Sequence, residues 1–330
     1  MSVEQSAAPT VTTGGPTVLA RMRGTEIRNL GLVAVLAVLV VIGAITSENF
    51  LTGDNLENIL VSSSVIGVVT VGATFVIIGG GIDLSVGAIV ALASVWATTL
   101  ATQSYGPGMM VLCAILVGAG AGLVNGLLIS YGRMVPFIVT LAMLVSARGL
   151  AARLADNRTQ IVTQQPIKDL ATTDVLGIPL LVLLLAAVAA VGWVLLNRTT
   201  FGRRVFAIGG NAEAARLAGI DVRRNTALLY VLSGTCCGIA AIMLLARTTT
   251  GSSTHGNLYE LDAIAAVIIG GTLLSGGRGT LIGSVLGVLV FTTITNIFIL
   301  NNLATETQNI AKGLIIVAAV LLQRRANRES

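Results

Sequence analysis

The chain alternates apolar blocks of bilayer length with short polar or glycine-rich junctions. A membrane-spanning helix needs about 17–25 predominantly apolar residues. Ten blocks meet or approach that length: roughly 30–46, 59–79, 83–101, 109–130, 136–153, 179–196, 226–246, 261–275, 280–299 and 310–322. The pattern predicts an all-α fold, a polytopic transmembrane helical bundle of about ten spans. The eighth block is short. The junctions at 79–87 and 270–279 are so rich in glycine that a broken or re-entrant helix fits each as well as a simple turn. The blocks define a membrane domain over 30–323, flanked by 1–29 and 324–330. The N-terminal segment, small and polar with Pro and Gly interruptions, is expected to be a disordered cytoplasmic tail.

Composition agrees with the pattern. Of 330 residues, 54% are hydrophobic and 11% charged, a balance that would force a water-soluble domain to expose apolar surface. The net charge of +5 raises nucleic-acid binding, but the basic residues stand at the ends of apolar blocks, where they orient helices. No basic-aromatic face accompanies them. Positive residues in short loops mark the cytoplasmic side. With ten spans and an inner N-terminus, the inner segments hold Arg21, Arg23, Arg28, Arg133, Arg198, Arg203, Arg204, Arg216, Arg223, Arg224, Arg278, Arg324, Arg325 and Arg328. The outer loops hold Arg148, Arg153, Arg158, Lys168 and Arg247, and the first outer loop carries only the acids Glu48, Asp54 and Glu57. Both termini are therefore expected in the cytoplasm. The first block follows basic residues as a secretory leader would, but its distance from the N-terminus and the lack of a small-x-small cleavage site favour an uncleaved anchor.

Two stretches are alike. VIIGGGIDLSVGAIVALASV (76–95) and VIIGGTLLSGGRGTLIGSVLGVLV (267–290) both pass from a β-branched segment through clustered glycines into an apolar helix. Duplicated halves interrupted at matching places are common in transporters, and chance likeness between glycine-rich packing helices gives the same pattern. In the fourth block Gly118, Gly120, Gly122 and Gly126 are spaced for close helix approach. Asp83, inside GGGIDLSVG, is costly at the bilayer centre, by about 2.5–3.5 kcal/mol. Two roles fit it: capping the following helix, or lining a substrate path with Gly81 and Ser85. Asn125 and Asn296 are further path candidates, and these amides, like Asn301 and Asn302, suit interhelical hydrogen bonds equally well. Glu260 and Asp262, two apart, face different sides of a helix, so membrane-interface anchoring is expected rather than paired acid/base work. Cys113, Cys236 and Cys237 lie in apolar runs with no ligand spacing to the single His255, and are expected to be reduced core residues.

The 198–225 loop carries six arginines around the run NAEAARLAG. Asn211 suits an N-cap, Glu213 the first turn and Gly219 the C-terminal stop. A two-turn helix is marginal alone. Its face of Ala214, Leu217 and Ala218, with Arg216 turned away, suits insertion into a groove on a soluble partner; a helix lying on the membrane surface is the alternative.

GGGIDLSVGAIVALASV, FGRRVFAIGGNAEAARLAGI and YELDAIAAVIIGGTLLSGGRGT, in that order, make the chain similar over about 30–323 to the ribose-type monosaccharide ABC importer permeases of the branched-chain amino acid/ribose transport permease family. The resemblance implies a subunit of the bacterial cytoplasmic membrane, working as a homodimer or with a related permease. It implies a cytoplasmic ABC ATPase with tandem nucleotide-binding domains and an external sugar-binding protein as partners. It also implies a coupling helix in the longest cytoplasmic loop, which falls here on Gly210, Asn211, Glu213, Ala214, Ala215, Leu217 and Gly219. Gly81, Asp83 and Ser85 match the family's most recognisable segment. The long N-terminal tail and the use of Arg over Lys depart from the family and touch neither motif.

No G-x-x-x-x-G-K-[ST] loop occurs, so ATP and Mg are expected on the partner ATPase, with no cofactor on this chain and no enzymatic activity of its own. The expected mechanism is alternating access, delivering a ribose-, xylose- or galactose-like sugar. Other small polar solutes, such as a polyol, a furanone signal or a branched-chain amino acid, are the runner-up substrates. An ion-coupled secondary transporter would need more buried titratable groups than Asp83. A membrane enzyme would need companions for His255.

Overall fold

The computed structural model describes residues 18–326, with side-chain surroundings for 29–321. Chain order is α1 (Val18–Thr46), α2 (Gly53–Ile78), α3 (Val86–Ala97), α4 (Leu100–Ser104), α5 (Pro107–Ser130), α6 (Pro136–Leu154), β1 (Gln160–Ile161), α7 (Gln165–Asp169), β2 (Asp174–Val175), β3 (Ile178–Pro179) and α8 (Leu180–Arg198). There follow α9 (Thr200–Gly210), α10 (Ala212–Leu217), α11 (Val222–Thr248), β4 (Thr250–Gly251), α12 (Tyr259–Ile269), α13 (Leu281–Leu300) and α14 (Thr305–Ala326). Among the described residues the strands form only two short antiparallel pairs, β1 with β4 and β2 with β3. Seven helices, α1, α2, α5, α6, α8, α11 and α13, are long and apolar enough to cross a membrane, and the chain is a multi-pass helical membrane protein.

Helices outrun the apolar blocks at both ends. α1 is already helical at Val18, so the part of the expected 1–29 tail that is described is helix, and α14 continues past 322 to Ala326. Arg, Met, Glu and Gln are good helix formers, and a bilayer-length criterion marks only the apolar part of a helix. Residues 1–17 and 327–330 lie outside the described residues.

α2 and α11 are buried along most of their length, while α1, α6 and α8 face mainly outward. α5 lies antiparallel against α11 along a glycine seam. A Cβ on Gly118 would stand 2.2 Å from the Gly234 carbonyl oxygen and one on Gly122 2.1 Å from that of Tyr230, so the backbones touch where only hydrogen fits. Gly126 meets Ala227 in the same way, whereas Gly120 faces open space and takes no part.

Two helices are too short to cross alone. At 1.5 Å per residue α3 reaches about 18 Å and α12 about 16 Å, against a hydrocarbon core of about 30 Å. Irregular chain precedes each: 79–85 before α3, and 252–258 before α12. Non-helical backbone is tolerated at membrane depth where protein buries and satisfies it, and here it does. Arg148 of α6 donates to the carbonyls of Ser253 and His255, both at 2.7 Å. Gly256 sits directly on Gly87, where a Cβ would be 2.1 Å from the Gly256 oxygen.

The helix is interrupted at both glycine-rich junctions, over 79–85 and 270–280, while Val86 and Gly87 of the expected 79–87 junction already belong to α3. The expected eighth block, 261–275, is corrected: its helix starts at Tyr259 and stops at Ile269. Gly270 and Gly271 end it, and the latter has a φ of +78°, a left-handed conformation natural to glycine.

Candidate functional site

Three of the residues singled out by the sequence form one buried cluster where α3, α5 and α11 meet. Asp83 is 4% exposed, and Ser85 and Asn125 are fully buried. Asp83 Oδ1 accepts from the Ser85 N–H at 3.0 Å and from the Ser85 hydroxyl, while Oδ2 accepts from the Ser233 hydroxyl of α11 at 2.9 Å. Asn125 of α5 donates to Ser85 Oγ at 2.9 Å. Asp83 thus satisfies the Ser85 N–H at the entry to α3, whose N-cap position is Ser85 with helical dihedrals, and folds the preceding segment into a local turn. Gly81 lies one layer away, with Tyr230 Oη 2.6 Å from where its Cβ would be. Tyr230 donates to the Ile82 carbonyl at 3.3 Å.

The cluster ties the break before α3 to two long helices and uses both carboxylate oxygens in doing so. D83N keeps an acceptor for Ser85, and its amide can donate to Ser233. It is expected to transport within about twofold of wild type, whereas D83A strands buried donors at ~1–3 kcal/mol each and is expected to lower the thermal midpoint in detergent. Lost transport in a fully folded D83N protein would instead assign the charge a direct role.

The second assembly lies in the 198–225 loop, which contains two helices rather than one. α9 escapes a propensity reading because Gly202, Gly209 and Gly210 weaken the helical signal. Each of the first two is needed for contact: a Cβ on Gly202 would be 1.9 Å from the Leu196 oxygen and one on Gly209 1.8 Å from the Ile78 oxygen. α9 buries Gly202, Val205 and Ile208 and exposes Arg203, Arg204 and Ala207. Its N-terminus is capped by Thr199, whose hydroxyl accepts from the Gly202 N–H.

α10 is bounded as its sequence predicts. Asn211 Oδ1 accepts from the Ala214 N–H at 2.9 Å. At the other end Gly219 has a φ of +81°, and the N–H groups of Ile220 and Gly219 return to the carbonyls of Ala215 and Arg216, both at 3.0 Å, closing a Schellman motif. Glu213 pairs with Arg216, and that guanidinium holds the Glu213 carboxyl below its usual range. Ala214, Leu217 and Ala218 form an outward face, with Leu217 76% exposed. Ala215, expected among the coupling residues, is 4% exposed, in a helix whose neighbours are α9 and α11; two positions before Leu217, it is about 200° away around the helix.

The two glycine-rich breaks and α9 converge. The Gly277 N–H donates to the Ile78 carbonyl at 2.8 Å, the position where a Cβ on Gly209 would intrude. Gly276, with a φ of +82°, would place a Cβ 2.9 Å from Gly80 Cα. The end of α9 is thus wedged between the junction after α2 and the junction after α12.

Asn296 is far from the Asp83 cluster in connectivity: it exchanges two hydrogen bonds with Asn55 of α2, at 2.7 and 3.1 Å. Asn301 donates to Thr46 at 3.2 Å, and Asn302 is a turn residue with a φ of 54°. Glu260 and Asp262 do face different ways, but both are buried rather than at an exposed interface. Glu260 lies over Gly87, and Asp262 pairs with Lys312 of α14 at 3.4 Å. The sequence signal for that pair was Lys312 itself, a cation at the start of an apolar block.

Residues 55–320 match the family described as branched-chain amino acid transport system / permease component. The ribose import permease protein of Bacillus subtilis (strain 168) is 40% identical over 300 residues, covering 90% of this chain and 93% of that protein. The D-allose transport system permease protein of Escherichia coli (strain K12) is 35% identical over 296 residues, 89% of this chain and 91% of the relative. The L-arabinose ABC transporter permease protein of Azospirillum brasilense is 36% identical over 313 residues, 94% of this chain and 92% of the relative. No solved structure matches the chain.

Proposed function

This chain belongs to the branched-chain amino acid transport system / permease component family, and from that premise we propose that it is the membrane-spanning permease of an ATP-driven importer carrying a monosaccharide into the bacterial cytoplasm. It is a multi-pass protein of the bacterial cytoplasmic membrane. The observation that carries the substrate class is the likeness, along about nine-tenths of the chain, to permeases named for ribose, allose and arabinose.

Adding α3, α12 and α14 to the seven long helices gives ten spans with both termini in the cytoplasm. This arrangement puts α9, α10 and the 270–280 junction on the arginine-rich inner side, where positive residues are retained. With no phosphate-binding loop of its own, the permease takes its energy from a separate ATPase with tandem nucleotide-binding domains. The outward face of α10 docks there, and α9 passes the movement to both glycine-rich breaks. An external binding protein supplies the sugar, and a second permease, identical or related, completes the membrane pathway.

The test is uptake of radiolabelled D-ribose, D-allose and L-arabinose by proteoliposomes holding the permease, its ATPase and its binding protein. ATP-dependent accumulation of one of them is expected. Uptake by the permease alone, driven by an ion gradient, would overturn the reading in favour of a secondary transporter.

A further inference from the structure

Toward the opposite end of α2 from the α9 junction, the structure holds a chamber of about 220 Å³ whose wall combines the apolar Ile59, Ile66, Phe291 and Ile299 with polar side chains. Its lining includes Asn58 and Ser62 of α2, Asp262 of α12, Thr292 and Thr295 of α13, and Lys312 of α14. The volume is below the ~300–1,000 Å³ of drug-sized pockets and leaves room for one small solute. Exposed residues form the mouth, where Arg247 donates to Asn58 Oδ1 at 3.1 Å. Asp262 and Thr292 are buried.

Most of the chamber's polar groups already have partners, since Ser62 donates to Asn58 Oδ1 at 3.4 Å and Asn296 bonds Asn55 through both amide atoms, and two groups are left under-used: the Lys312–Asp262 pair and Thr292. Lys312 Nζ stands 3.4 Å from both Asp262 oxygens, well beyond the ~2.7–2.9 Å of a close charge-assisted bond. The same ammonium lies 5.3 Å from the centre of the Phe291 ring. Other hydroxyls in these helices return to the carbonyl four residues back, as Ser63 and Thr70 do and as Thr295 does within the lining itself. Thr292 Oγ1 is buried with no partner among the described residues, and buried hydroxyls are as a rule hydrogen-bonded. A carboxylate that accepts, an ammonium that donates, and a hydroxyl that does both, set beside an aromatic ring, match the alternating donors and acceptors of a neutral polyol.

We infer that this chamber holds the monosaccharide inside the permease, between release from the binding protein and passage to the cytoplasm. The inference rests on the import reading above. Of the path residues expected from the sequence, Asn296 lines this chamber, while Asp83, Ser85 and Asn125 hold the scaffold elsewhere. The sugar meets few partners and an open mouth, so it is held loosely and leaves readily.

The same proteoliposomes test the chamber, with sugar carried per ATP hydrolysed as the readout. T292V keeps side-chain shape and removes one hydrogen-bonding group, and is expected to lower the ratio about fivefold. S62F fills the chamber with a ring and is expected to stop uptake. T70V, which loses only a hydroxyl bonded to its own helix, is the control and is expected to match wild type. If S62F fails to assemble with the ATPase in size-exclusion chromatography, T292V decides alone. Wild-type vesicles that carry none of the three sugars would overturn the import reading and the chamber with it. Wild-type uptake left unchanged by T292V, and by an assembled S62F, would overturn the chamber alone.

Discussion

L217D is expected to cut sugar uptake at least tenfold while leaving the permease folded. Leu217 is 76% exposed, so the isolated subunit gains little from its side chain. The fold of α10 depends instead on the Asn211 cap, the buried Ala215 and the Gly219 closure. An aspartate near the helix C-terminus meets the negative end of the dipole, at ~0.3–1 kcal/mol, which those anchors can absorb. At an interface the balance reverses. Burying a leucine contributes ~1.5–3 kcal/mol, equivalent to roughly 10–150-fold in affinity, and a carboxylate forced into the same apolar groove adds a desolvation penalty. Uptake and ATP hydrolysis measured in the same proteoliposomes separate the outcomes. The expected result is continued hydrolysis without import, with L217M close to wild type. Unchanged uptake by L217D would remove α10 as the docking element.

The sequence makes the parts of this fold legible where a single local rule governs them. Seven of the apolar blocks are single long helices because length and apolarity alone suffice for a span. The termini of α10 follow from Asn211 and Gly219 because caps are local chemistry. α9 stayed hidden for the opposite reason: its glycines lower helix propensity, and the use of Gly202 and Gly209 appears only when α9 folds back on Leu196 of α8 and when Ile78 and Gly277 arrive from distant segments. The irregular lead into α12 was hidden too, since GSSTHGNL reads as an ordinary loop until Arg148 and Gly87 are brought beside it. The polar residues divided in the same way. Asp83 and Ser85 were conspicuous as polar groups in an apolar run, but their partners Ser233 and Asn125 lie on other helices. Asp262 and Lys312, 50 positions apart, form a pair only in the folded bundle.

G209A is expected to abolish coupled uptake although it adds a single methyl group, and G210A, its neighbour, is expected to be tolerated. The added carbon at 209 would sit 1.8 Å from the Ile78 oxygen and 2.6 Å from the Gly277 nitrogen, inside the hydrogen bond that joins the two breaks at 2.8 Å. Relieving the clash means separating those backbones, at an overpacking cost of ~1–3 kcal/mol plus the lost bond at ~0.5–1.5 kcal/mol. Nothing lies within 4 Å of a Cβ on Gly210, so the same chemical change one residue later loads neither junction. The pair therefore separates a mechanical role for the α9 wedge from a general need for small residues in the loop. Thermal unfolding in detergent is expected to show a lower midpoint for G209A and none of that loss for G210A. In proteoliposomes G209A is expected to hydrolyse ATP without importing sugar, because a displaced wedge no longer passes movement of α10 to the breaks before α3 and after α12. Equal import by the two variants would mean that the wedge yields without consequence, and force would then have to reach the bundle by another contact.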